Sequence, residues 1–145
     1  MSKWKKNYPD PMYMVNEYSA DAVKLYMLNS PVVRADNLKF SEAEVKQLVR
    51  KVFLPWYNSY WFLIQNIVWW EDQTGKNFEF DELLSKNSNN WLDRWIIASN
   101  HQLLKHFWHE LDHYWLYQIV HELLKFLDDL TKWYIKLTRS RMKGE

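Results

Sequence analysis

Apolar residues recur along this chain at helical spacing, with no strand-period run and no internal repeat. Val15, Ala22, Leu25 and Tyr26 share one face of a helix predicted from about Met12 to Leu28. Pro9 and Pro11 keep the stretch before it out of regular helix, and Ser30-Pro31 stops it. Residues 31–40 read as an extended connector. Ser41-Glu42-Ala43-Glu44 has the form of a capping box: the Ser41 hydroxyl satisfies an orphan N–H and Glu44 reaches back. Val45, Leu48, Val49, Val52 and Phe53 follow at amphipathic spacing. Pro55 is expected to kink or divide that helix. Its second half carries Trp56, Tyr60, Leu63, Ile64 and Ile67 to about Trp70, with Gly75 as the stop. Residues 73–90 are polar and Asn-rich, a loop with at most a short turn at 81–84.

A further helix is predicted over about Trp91–Glu110, with Leu92, Ile96, Ser99, Leu103 and Phe107 in its stripe and Trp95 beside it. The last helix has the clearest pattern. Leu116, Val120, Leu123, Leu127, Leu130, Tyr134 and Leu137 alternate steps of four and three, a heptad seam widened by Ile119, Phe126 and Trp133. Opposite lie Gln118, Glu122, Lys125, Asp129, Lys132, Lys136, Arg139 and Lys143, a face that becomes wholly basic after Asp129. The predicted fold is mainly α.

Composition narrows the function classes. The chain has 145 residues, 48% hydrophobic, with only two Gly and ten Trp. That is enough for one ordinary domain with a packed helical core. The tryptophans, with Tyr57 and its neighbours, read as core in the main, Trp95 and Trp133 included. A formal net charge of +1 does not suit strong, sequence-blind binding of polyanions. The absence of Cys excludes disulfides and thiolate metal sites and fits a reducing compartment. The basic start is followed by no long apolar stretch, so no signal peptide is predicted, and no apolar run of about 18 residues offers a membrane span.

Three local patterns carry candidate chemistry. His109-Glu110-Leu111-Asp112-His113 is a literal HExxH, which on a single helix would place two imidazoles on one face with Glu110 near a metal-bound water. His106 lies a turn earlier, but no third His follows at metzincin spacing. A zinc hydrolase site here is the remote alternative, adventitious metal binding by His106, His109 and His113 is a nearer one, and the plainer reading is a solvated polar patch. Lys132, Lys136, Arg139 and Lys143, joined by Arg141, form a basic helix end suited to phosphates; the plainer reading is that cations there favour the helix dipole. Asp93-Arg94 reads as an ion pair within the bundle or a surface arginine.

The chain opens Met1-Ser2-Lys3-Trp4-Lys5-Lys6-Asn7-Tyr8-Pro9-Asp10-Pro11. This string resembles the KMSKS signature loop of the class I aminoacyl-tRNA synthetases and its Asn-Tyr-Pro-Asp-Pro exit. The resemblance continues in order through Tyr18-Ser19-Ala20-Asp21-Ala22, Asn29-Ser30-Pro31-Val32-Val33-Arg34-Ala35, Leu54-Pro55-Trp56-Tyr57-Asn58, Asp93-Arg94-Trp95-Ile96 and Leu130-Thr131-Lys132-Trp133-Tyr134-Ile135. It covers essentially the whole chain and points to the eukaryotic-type cytoplasmic isoleucine–tRNA ligases, to whose branch Asn7-Tyr8-Pro9-Asp10-Pro11 is similar. Trp4 stands where that family is expected to carry Ser or Arg, and Trp61, Trp69 and Trp115 where it is expected to carry basic residues.

The resemblance implies an antiparallel helical bundle of the anticodon-binding type over 41–145. A segment of 1–40 would hold the end of the catalytic domain, the signature loop and a stem-contact-like piece. Lys3, with Ser2, matches the loop that steadies the ATP phosphates as pyrophosphate leaves, with magnesium in the parent enzyme. Lys132, Lys136, Arg139, Arg141 and Lys143 would contact the tRNA that accepts isoleucine. The expected function is a cytoplasmic ligase fragment that binds this tRNA weakly, joins a catalytic domain absent from this sequence, and neither binds ATP nor catalyses alone. The competing expectation is a helical module on the synthetase scaffold that does not bind RNA.

Overall fold

The computed structural model describes residues 9–81 and 88–144, and among these it is helical with no strand. The signature loop at 1–8 and most of the turn expected at 81–84 lie outside the described residues. The Asp10 carboxylate caps α1 (Pro11–Tyr18) by accepting from the Met12 N–H at 3.0 Å, and Pro11 occupies the first turn, where no N–H is needed.

The single helix expected to Leu28 is two helices. α1 breaks at Ser19, whose φ of 78° and ψ of 153° suit glycine, and α2 (Ala20–Asn29) starts beyond it. The Ser19 hydroxyl accepts from the Ala22 N–H at 3.3 Å, which starts α2. The break folds Met14 of α1 onto Ala22 and Tyr26 of α2, and all three are buried. The expected extended connector also contains a 3₁₀ turn, Pro31–Arg34.

α3 (Glu42–Leu48) begins at Ser41, but the capping box does not close. The Ser41 hydroxyl makes no capping bond, and its backbone N–H donates to the Tyr26 hydroxyl at 3.2 Å, so a tertiary bond displaces the local one. Glu42 instead accepts from the Tyr18 hydroxyl at 2.9 Å, which pushes that phenol up to about 12. Pro55 does not break the helix. α3 passes through a π-helical segment (Val49–Phe53) into α4 (Leu54–Thr74), and this wide turn absorbs the proline's missing N–H and its crowding of the preceding carbonyl. Gly75, at φ 65°, ends the rod as expected, its N–H donating to the Glu71 carbonyl at 2.8 Å.

α5 (Trp91–Asp112) is capped by the Asn90 side chain, which accepts from the Leu92 N–H at 2.9 Å. The last rod joins α6 (Leu116–Asp128), a π-helical segment (Asp129–Ile135) and α7 (Lys136–Met142). The π turn adds one residue, so the heptad seam slips. Beyond Tyr134 the inward residue is Thr138, 2% exposed, and the expected Leu137 is 55% exposed.

The core gathers Met14, Ala22, Tyr26, Val45, Leu48, Val52 and Leu127, so elements on both sides of residue 40 share it. α5 packs along α6, and α2 also meets α6. Among the described residues no tryptophan is fully buried, and only Trp95 is half-buried. Trp56, Tyr57 and Trp133 are more than half exposed, and no residue of α4 is buried. α4 leaves the core at the π segment, and beyond it meets chiefly the π segment of the last rod.

Candidate nucleic-acid interface

The basic helix end is positioned from the start of α5. Asp93 sits in the first turn of α5, where a carboxylate favours the dipole. Arg141 of α7 grips it with both guanidinium nitrogens; Nη1 donates to Oδ2 at 2.9 Å, and Nη2 pairs with Oδ1. The Tyr134 hydroxyl donates to Oδ1 at 2.9 Å and the Ser88 hydroxyl to Oδ2 at 2.8 Å. Arg141, with Ser88 and Tyr134, holds the Asp93 carboxyl down at about 2 against the opposing effect of burial. Burial and the Asp93 carboxylate push the Tyr134 phenol up to about 12, and Asp93 raises Arg141. Asp93 is 17% exposed and Arg141 45%, so the clamp lies at the bundle's edge and fixes the last rod against α5.

The five residues expected to meet RNA are all exposed on the last rod, and two of them, Lys132 and Arg141, are held in ion pairs. Lys136, Arg139 and Lys143 recur at helical spacing, are exposed, and have no ion-pair partner among the described residues. Lys132 is exposed and pairs with Asp128 at 2.7 Å, a surface pair of small worth that a phosphate can replace. Arg141 points to Asp93, so its role in this arrangement is to hold the helix end. Asp93 was legible as an ion-pair residue, but its partner lies 48 positions away and no local pattern names it. Tyr134, read as seam, and Ser88 complete the clamp without a sequence signal. Ser2 and Lys3, the residues matched to ATP, lie outside the described residues.

The HExxH does not form a zincin helix. α5 ends at Asp112, inside the pattern, and His113 caps it. His109 and His113 are exposed with ring centroids 4.4 Å apart, and Trp115 lies 5.2 Å from His113. Glu110 turns the other way: it is 4% exposed and pairs with His106 at 3.7 Å. Among the described residues no group of three or more His, Asp or Glu is placed to hold a metal ion.

The last rod of the bundle thus carries basic residues on its free face and is braced from the neighbouring helix. Residues 93–145, which contain the whole clamp except Ser88, match the anticodon-binding domain of tRNA ligase, and residues 1–39 match the class I tRNA synthetases (I, L, M and V). Over its full length the chain is 48% identical to an isoleucine–tRNA ligase of Tetrahymena thermophila and 49% identical to the cytoplasmic one of Caenorhabditis elegans. Over 97% of its length it is 44% identical to that of Bdellovibrio bacteriovorus. The chain belongs to the isoleucine–tRNA ligase family. It spans only 12–14% of the length of these relatives, and is a fragment relative to them. No helix among the described residues is long and apolar enough to cross a membrane.

Proposed function

We propose that this chain is the part of a cytoplasmic isoleucine–tRNA ligase that holds the isoleucine-accepting tRNA. The observation that carries the reading is the basic stripe Lys136, Arg139 and Lys143, without ion-pair partners among the described residues, on a braced helix end inside the stretch that matches an anticodon-binding domain. Lysine and arginine side chains there neutralise phosphates and set the register of the RNA, while carrying little base information. Lys132 joins them by exchanging Asp128 for a phosphate. Arg141 acts through Asp93, keeping the stripe in place. The cytoplasmic assignment rests on relatives such as those of Caenorhabditis elegans and Saccharomyces cerevisiae, whose names carry it.

Residues 1–40 contribute the end of the synthetase body, and Met14, Ala22 and Tyr26 within them share a core with Val45, Leu48, Val52 and Leu127, so the boundary near residue 40 separates roles rather than cores. ATP and magnesium belong to the chemistry of the parent enzyme, in which Ser2 and Lys3 would face the phosphates. Isoleucine- and ATP-dependent pyrophosphate exchange is expected to be absent from the isolated chain. One observation favours the competing reading of a module without RNA binding: Trp61, Trp69 and Trp115 are exposed where the family resemblance implies cations. A gel-shift titration with isoleucine tRNA at low salt separates the two. The chain should shift the tRNA, and the double reversal Lys136→Glu with Arg139→Glu should not, with helical circular dichroism unchanged in both. An equal shift by both proteins would remove the basic stripe from the account.

A further inference from the structure

We propose that the corner between α5 and α6 is a stacking platform for an unpaired base of the tRNA, a site that rests on the tRNA reading and extends it beyond phosphate contacts. The two histidines of the HExxH and Trp115 gather there into one cluster of rings. His113 lies 4.4 Å from His109 and 5.2 Å from Trp115, centroid to centroid, with ring planes tilted by 44° and 32°. Trp115 meets His109 edge-on at 6.5 Å. Backbone bonds hold the cluster in place. His113 Nδ1 donates to the His109 carbonyl at 2.7 Å, which fixes that imidazole. The Trp115 N–H donates to the Glu110 carbonyl at 2.9 Å, which ties the corner back to α5. Tyr114, at φ 57°, makes the turn between them and is 84% exposed. Rings already held together lose little freedom when a further ring is added.

The chemistry of the corner selects the occupant. Both imidazoles and the indole are exposed, so a flat ligand reaches them from solvent. Their rims carry polar nitrogens, which an apolar helix would bury without partners. A nucleobase, itself a ring with polar edges, can satisfy them. Glu110 turns inward and leaves Asp112 the one exposed carboxylate of residues 106–117. A cation lies alongside. The Arg34 guanidinium sits 4.7 Å over the Tyr117 ring, is exposed, and has no ion-pair partner among the described residues. Aromatic faces beside such a cation are the elements with which proteins hold unpaired RNA, the rings taking bases and the cation the backbone. The corner lies about 30 Å along the last rod from Lys136, at 1.5 Å per residue, so an extended RNA such as tRNA, and not a single nucleotide, reaches both.

The test is the affinity of the full chain for isoleucine tRNA across a range of salt, with Trp115→Phe and Trp115→Leu beside the parent. Leu keeps an apolar side chain and loses the π face. It should weaken binding about fivefold or more, while Phe should stay within about twofold. The slope of log affinity against log salt should be the same in all three, since a base stack releases no counterions. Circular dichroism and thermal melts should also match. Ultraviolet crosslinking of the parent complex should join a nucleotide outside the base-paired stems to a peptide containing residues 109–115. Equal weakening by Phe and Leu, or crosslinks confined to other peptides, would overturn the platform. A Leu variant that binds as the parent does would overturn it too, and would leave the basic stripe and the tRNA reading standing. A parent chain that binds no tRNA would remove both.

Discussion

Replacing Asp93 by Asn should cost stability by an amount that depends on pH. The amide keeps nearly the same shape but only one acceptor oxygen, so one of the two hydroxyls, Tyr134 or Ser88, loses its acceptor, and the charge that Arg141 grips is removed. Asp93 is held at about 2 in the folded chain against its ordinary 3.8. A depressed carboxyl contributes stability that is fully present above its unfolded value and is lost as pH falls through its folded value. The contribution should therefore be complete above about pH 4.5, decline between about 4 and 2, and vanish below that. The shift corresponds to about 2 kcal/mol, and the 45% exposure of Arg141 brings the expected loss down to about 1–2 kcal/mol by solvent screening. Urea denaturation followed by circular dichroism at pH 7 and again at pH 3 measures it. A double-mutant cycle with Arg141→Ala should recover most of the loss as coupling. A penalty that stays constant down to pH 3, or one below about 0.3 kcal/mol at pH 7, would refute the clamp as a stabilising device.

Three other substitutions probe the backbone features. Leu127→Ala should cost about 2–4 kcal/mol, since Leu127 is 3% exposed in the core, while Leu137→Ala should stay within about 0.5 kcal/mol; equal costs in thermal melts would mean the seam does not slip at the π turn. Ser19→Gly should stabilise by about 1 kcal/mol, because relief of its glycine-like backbone outweighs a capping bond already long at 3.3 Å; a lower melting temperature would contradict that.

The sequence carried the helices whose signals are local. The spacing of Val45, Leu48 and Val52 marked a face that the structure buries, and Gly75 ended a helix by the left-handed conformation that glycine permits. What it did not carry depends on distant partners or on counting residues per turn. Ser19 breaks a helix whose two halves keep apolar residues, so the periodicity survives the break. The Ser41 cap lost to a bond that the Ser41 N–H donates to the Tyr26 hydroxyl, fifteen positions earlier in the chain. The π segments leave no mark in a pattern of fours and threes, yet one moves Leu137 outward and Thr138 inward. The tryptophans misled because an apolar residue is read as core wherever a seam exists, and along α4 no residue is buried. In the basic stripe, residue type identified the cations, but only the fold distinguished Arg141, which pairs with Asp93, from Arg139, which has no ion-pair partner among the described residues.

The central claim is that this helix end holds tRNA through phosphate contacts. It is tested most directly by the salt dependence of isoleucine-tRNA affinity. With Lys132, Lys136, Arg139 and Lys143 each neutralising a phosphate, log affinity against log salt should fall with a slope of about −3. Reversing Lys136 and Arg139 to Glu should remove at least half of that slope, and Arg141→Ala should lower stability without changing the number of phosphates neutralised. A slope near zero for the parent chain, or one untouched by the double reversal, would contradict the account.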